Sequence, residues 1–216
     1  MDFKRPVAVL PNLAIHLNRA MNDGVALNAQ TDLLPICGMD EHMDTDTFLQ
    51  ILANETGEKP EDILCFDLSV YHYAEPVRTG FSGDMFMAPR IDNISSVQAC
   101  LTGLIEANPS DGISVAVLFD HEEIGSRSKN GANGNLLSYT LERICNALNI
   151  SRENFLQSLV HSYYLSLDVA HAIHPAHPEK SDITSALPLN RGFAIKASAK
   201  HAYCSDDDMT GVILQL

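Results

Sequence analysis

The pattern of apolar and polar positions changes character near Gly80 to Gly83. On the N-terminal side, residues 7–10 and 63–73 read as strands, the second by its alternation, and residues 47–56 read as a short helix. Between them, residues 18–46 are polar and acidic and predict a long loop. Beyond residue 83, strand and helix signals take turns: a strand over 85–88, a helix over 94–107, a strand over 113–119 and helices over 136–148 and 153–161. A short strand ending at Leu167 and another over 193–197 complete the series. Such alternation predicts an α/β fold with a mixed, mostly parallel sheet flanked by helices, preceded by a β-rich part. No internal repeat interrupts it.

The strand signal over 113–119 runs straight into Asp120-His121-Glu122-Glu123. A strand this apolar sits inside a sheet, and in open α/β sheets the ligand crevice lies beyond the carboxyl ends of the strands. Adjacent glutamates there suit a metal hydrolase, in which one ligates a cation while the other takes a proton from bound water. Asp92 and Asp168 also stand at predicted strand ends. Each acid has a plainer alternative: an N-cap for Asp92, a solvated loop for the glutamates, a turn for Asp168. Three strands of one sheet ending in acids weigh against all three alternatives together. His171 and His174 follow Asp168 closely enough to ligate, to orient a ligand or to meet substrate, on a helical face or, because of Pro175, in a loop.

Composition narrows the partners. Fourteen Lys and Arg against 28 Asp and Glu give a net charge of −14 in 216 residues, so the basic face that nucleic-acid phosphates require is absent. The start lacks the apolar core of a signal peptide and no apolar run has the length of a membrane span, which predicts a cytoplasmic chain. Five cysteines, Cys37, Cys65, Cys100, Cys145 and Cys204, include no Cys-x-x-Cys pair and are expected to be reduced core residues. The acidic run Asp206-Asp207-Asp208 is expected to open a helix.

Four ordered segments carry a family resemblance: Pro11-Asn12-Leu13-Ala14-Ile15-His16-Leu17-Asn18-Arg19, Ala88-Pro89-Arg90-Ile91-Asp92-Asn93, Phe119-Asp120-His121-Glu122-Glu123-Ile124-Gly125-Ser126 and Ser166-Leu167-Asp168-Val169-Ala170-His171-Ala172-Ile173-His174-Pro175. With these, the chain resembles the aspartyl aminopeptidase family of zinc metallopeptidases. The resemblance implies a two-zinc aminopeptidase that releases N-terminal Asp or Glu from peptides, with manganese or cobalt as alternative metals. Asp92 matches the carboxylate bridging both zincs, Glu123 and Asp168 a ligand of each, and Glu122 the general base. His16, which read alone would be a core histidine, resembles one that the dimerisation domain sends into the partner subunit's active site. His174 resembles a substrate-site histidine. Lys196 is the candidate to pair with the substrate's acidic side chain, against the alternative of an ordinary strand-end lysine.

By the same resemblance, residues 1–82 correspond to the C-terminal portion of a dimerisation domain and 83–216 to the central portion of the catalytic domain, in a homo-oligomer built from dimers. The family's first and last zinc-binding histidines find no counterpart, and Ala199-Lys200-His201-Ala202-Tyr203-Cys204 replaces a stretch that relatives carry in another form. The isolated chain is therefore expected to be an internal piece with little or no activity. The alternative is a non-catalytic assembly or regulatory subunit that pairs with a full-length relative.

Overall fold

The structure, a computed structural model, describes every residue except Glu41, Ser110, His201 and Cys204. The chain divides into two units, Met1–Pro89 and Arg90–Leu216.

In the first unit the organising element is α1, Thr45–Thr56. Asp44 caps it: its carboxylate accepts from the Thr47 N–H at 2.8 Å and from the Thr47 hydroxyl at 2.7 Å, holding two donors of the first turn. The helix ends at Gly57, whose N–H donates to the Ala53 carbonyl. Leu52 and Ala53 are buried, and Phe48 meets Phe66 edge to face at 5.7 Å, which brings residues 60–68 against the helix.

The N-terminal segment is tied to this assembly through polar contacts. Tyr71 donates to the Asp2 carboxylate at 2.7 Å, Tyr73 donates to the Lys4 carbonyl at 2.8 Å, and Arg5 pairs with Glu55. The Tyr71 hydroxyl, helped by the Lys4 N–H, lowers the Asp2 pKa, and the Arg5 guanidinium lowers that of Glu55. A carboxylate whose folded pKa is depressed contributes stability above its unfolded value, and that contribution disappears as pH falls through the folded one. The segment is therefore expected to hold at neutral pH and to release below about pH 4. The Tyr71 ring resonances followed from pH 7 to pH 2 check this, and shifts that stay flat across that range would contradict it.

A hairpin follows, β1 (Val77–Thr79) antiparallel to β2 (Met85–Met87), with Arg78 opposite Phe86. The change of pattern near Gly80 to Gly83 is the turn of this hairpin. In the second unit, α2 (Ile91–Glu106), α3 (Leu136–Ala147), α4 (Arg152–Val160) and α5 (Asp207–Ile213) stand within two or three residues of the predicted helices and of the acidic run. Ser151 caps α4 through the Asn154 N–H, and Asp206 caps α5 through the Met209 N–H. α4 returns against α3, with Phe155 buried and Arg152 paired to Glu142.

The predicted parallel sheet is not formed among the described residues. Segments 63–73, 113–119, the stretch ending at Leu167 and 193–197 carry no strand ladder, and residues 7–10 contribute one antiparallel bridge, Val9 to Ile36. A strand exists only by hydrogen bonding to a neighbour, and a fully apolar one also needs cover on both faces. Here Ile113 and Leu118 are 54% and 51% exposed, so this segment has neither.

The cysteine expectation needs correction as well. Cys37, Cys65, Cys100 and Cys145 are free thiols, yet the first two are exposed and the others only half-buried; Cys204 lies outside the described residues. Among the described residues, no helix is long and apolar enough to cross a membrane.

Candidate active site

The glutamate pair sits on a single tight turn. The Ser126 N–H donates to the His121 carbonyl at 2.8 Å and the Gly125 N–H to the Glu122 carbonyl at 2.9 Å. This nested pair of bonds, with Gly125 at φ +95°, is the closure that ends many helices, and here it closes residues 121–126 into one turn. Only glycine takes that φ without steric cost. Glu122 and Glu123 thus stand at adjacent positions of one closed turn.

The turn is anchored to a wider loop. The Asp120 N–H donates to the Asn130 carbonyl and the Asn133 N–H to the Ser126 carbonyl, both at 3.1 Å. Gly131 is buried where the loop crosses itself, and a Cβ there would lie 2.2 Å from the Ser126 carbonyl oxygen. Across the same loop the His121 Nδ1 meets the Ser128 hydroxyl at 2.6 Å, while its Nε2 lies 3.5 Å from the Asp120 carboxylate. The sequence reading missed Gly131, His121 and Ser128. The signal for the first is the run Asn130-Gly131-Ala132-Asn133-Gly134, rich in turn-forming residues.

Asp92 stands in a kinked first turn of α2. Its backbone and that of Asn93 are non-helical, a cis peptide bond joins the two, and the Ile94 N–H donates to the Arg90 carbonyl at 3.1 Å. The helix starts from Arg90 without a side-chain cap, so the N-cap alternative for Asp92 does not hold. Among the described residues, the Asp92 carboxylate is exposed and accepts no hydrogen bond.

Asp168 accepts from the Val169 N–H at 2.8 Å and faces the Lys196 ammonium at 3.5 Å. Lys196 in turn lies over the Tyr203 ring, 5.6 Å from its centroid, and its carbonyl accepts from the Ser205 hydroxyl at 2.6 Å. Two residues proposed for metal and for substrate thus hold each other. Both are substantially exposed, so the pair adds little stability and yields readily to a competing charge.

His174 accepts from the Ala176 N–H through Nδ1 at 3.1 Å, and its ring lies 5.0 Å from that of His177. A ring whose Nδ1 accepts carries its proton on Nε2, which leaves an N–H donor directed away from the backbone. His16, in the other unit, is exposed in a turn where the Leu17 N–H donates to the Ala14 carbonyl, so it is not a core histidine. His171 is exposed. Among the described residues, no three His, Cys, Asp or Glu side chains come together as a metal site. Asp92, Glu123 and Asp168 are the right donor types for a hard or borderline cation, but as arranged here they do not fit one.

Comparison with known proteins finds the relatives of this chain among aminopeptidases. The family described as aminopeptidase I zinc metalloprotease (M18) matches residues 1–216, and the chain belongs to that family. It is 40% identical to a probable M18 family aminopeptidase 2 of Clostridium novyi over 218 residues, covering 100% of this chain and 50% of the relative. A probable M18 family aminopeptidase 2 of Clostridium acetobutylicum is likewise 40% identical, over 98% of this chain and 49% of its own. The chain spans about half the length of the curated relatives it matches. Among solved structures, it is similar to a chain of the Ape4 and Nbr1 complex with a TM-score of 0.78 and 29% identity, covering 98% of this chain and 44% of that one. The prApe1 crystal structure gives a TM-score of 0.82 at 23% identity over 97% of this chain and 48% of that one. The backbone path thus follows the family fold even where the strand ladders are open.

Proposed function

We propose that this chain supplies the carboxylate side of an aminopeptidase site that removes N-terminal Asp or Glu from peptides. The observation that carries the reading is the Glu122–Glu123 turn, two adjacent acids held on one turn closed by two backbone hydrogen bonds. In this assignment Glu122 is the general base: it takes a proton from the attacking water and returns it to the leaving amine. Asp92, Glu123 and Asp168 are the carboxylates that would hold the zinc, or manganese or cobalt in its place, and the metal would supply a more acidic bound water and a polarised carbonyl. The present arrangement does not bring these donors together, so the cation sites require rearrangement or further donors.

His174 offers its Nε2–H to the substrate carbonyl or to the oxyanion formed from it. His16 is assigned the same kind of role from a neighbouring subunit of a homo-oligomer built from dimers, in a cytoplasmic enzyme. Lys196 recognises the acidic side chain, because a carboxylate removed from water without a partner is costly. A substrate carboxylate would compete with Asp168 for its ammonium.

In a preparation assembled to measurable hydrolysis, aspartyl- and glutamyl-anilides are expected to outpace leucyl-anilide. Lys196→Met is expected to reduce that preference about 10- to 100-fold, through KM, with the leucyl rate unchanged. Equal rates on acidic and apolar substrates in the unsubstituted protein reject the specificity.

A second reading is favoured by the lack of a converged donor group among the described residues. On it, the chain is a non-catalytic subunit that pairs with a full-length relative. Co-elution with such a relative, without any rise in hydrolysis, supports this reading; separate elution rejects it.

A further inference from the structure

Glu122 and Glu123 are held by backbone bonds alone within their turn, and the side chain that ties this turn to the rest of the loop belongs to the residue just before them. We propose that His121 is a positioning residue, whose imidazole bridges Asp120 and Ser128 and thereby fixes the direction in which Glu122 presents its carboxylate. The inference rests on the reading of Glu122 as base.

Three observations converge on it. The His121 Nδ1 to Ser128 Oγ contact, at 2.6 Å, spans seven residues and closes a ring of chain that contains both glutamates. His121 sits at φ +60°, a conformation that an ordinary side chain avoids unless its surroundings hold it there. Its carbonyl is the acceptor that closes the turn, bonded to the Ser126 N–H at 2.8 Å. One residue thus holds the turn from inside through its carbonyl and from outside through its ring. Ser128 is anchored in turn, its carbonyl accepting from the Gly131 N–H at 3.2 Å at the point where the loop crosses itself. Asp120 lies on the other side of the ring at 3.5 Å, and its backbone N–H is bonded to the Asn130 carbonyl. The ring therefore spans the two arms of the loop at its neck, and the glutamates lie within the segment it closes.

Without the clasp, the turn is held by its backbone bonds alone, the one from the Asn133 N–H to the Ser126 carbonyl included; these open more often, and the His121 end of the turn moves. A base on a moving turn spends less time within reach of the attacking water, and a misplacement of about 1 Å is enough to cost two orders of magnitude in rate. Substrate binding by residues outside the loop is untouched. The signature is a fall in kcat with KM held.

The variants are Ser128→Ala, which removes the partner without altering the backbone at 121, together with His121→Ala and His121→Asn. The Asn side-chain amide overlays the imidazole Nδ1 and tolerates positive φ, so it retains the contact. Amide hydrogen exchange on the full chain reads the clasp without any need for hydrolysis. Exchange at Gly125 and Ser126 is expected to quicken about tenfold or more in Ser128→Ala and His121→Ala, and to stay near the unsubstituted rate in His121→Asn. In protein assembled to measurable hydrolysis, the two alanine variants lower kcat about 10- to 100-fold at constant KM, and His121→Asn restores it. Exchange in Ser128→Ala within about twofold of the unsubstituted chain overturns the proposal. So does an unchanged kcat where exchange has quickened, because the clasp would then hold the loop and not the base. Glu122→Gln separates the two readings: it tests the base directly and is expected to leave exchange at Gly125 and Ser126 unaltered.

Discussion

Glu122→Gln is expected to lower kcat on an aspartyl-anilide by about 10²- to 10⁴-fold with KM nearly unchanged. The amide has the size and shape of the carboxylate but no basicity at neutral pH, so it retains packing and loses only the proton acceptor. Folding offers no competing explanation, because the turn closes through the Gly125 and Ser126 N–H groups, neither of which uses the Glu122 side chain. Steady-state kinetics on protein assembled to activity, with circular dichroism as a control for folding, decides the matter. A variant that keeps the unsubstituted rate removes Glu122 from the role of base. The 216-residue chain alone is expected to stay at background in the same assay, because no donor group converges among its described residues. Robust hydrolysis by the chain alone, abolished in Glu122→Gln, would show that the donors come together in solution.

The helices were legible in the sequence because their signals are local. Asp44 and Gly57 bracket α1, Ser151 opens α4 and Asp206 opens α5, and each cap acts within a few residues of itself. The strands were not legible to the same degree, since alternation shows that a segment can pair but not whether a neighbour is present. Residues 85–88 found a partner in Val77–Thr79, a strand the hydrophobic pattern did not announce. Residues 113–119 found none among the described residues.

The site divides along the same line. Asp92, Glu122, Glu123 and Asp168 were visible because short motifs carry them, whereas their mutual placement depends on long-range packing. The Lys196–Asp168 contact joins residues 28 apart, and the clasp between His121 and Ser128 crosses a loop whose path no periodicity encodes. Gly131 shows the same limit. Its role is to have no side chain where the Ser126 carbonyl passes, and an absent atom leaves only a faint trace in a sequence.

Phe155→Ala is the substitution expected to cost the most stability, about 3–5 kcal/mol. Phe155 is 7% exposed on α4, and with Leu52 and Ala53 it makes up the buried apolar residues among those described. Where so few apolar side chains are fully removed from water, each one provides a large share of the folding free energy. Domains are stable by only about 5–15 kcal/mol in all, so a loss of this size removes a substantial fraction of the population or all of it. The Arg152–Glu142 pair between α4 and α3 joins an exposed arginine to a half-buried glutamate and does not substitute for the lost ring. Leu52→Ala, expected to cost about 2–5 kcal/mol, acts in Met1–Pro89, whereas Phe155 lies in Arg90–Leu216. If the units unfold independently, amide exchange in Phe155→Ala quickens through α3 and α4 and leaves α1 protected, and Leu52→Ala gives the converse. Equal loss of protection in both units from either substitution would instead make the chain a single cooperative body, in which damage at the α3–α4 contact reaches the first unit as readily as its own.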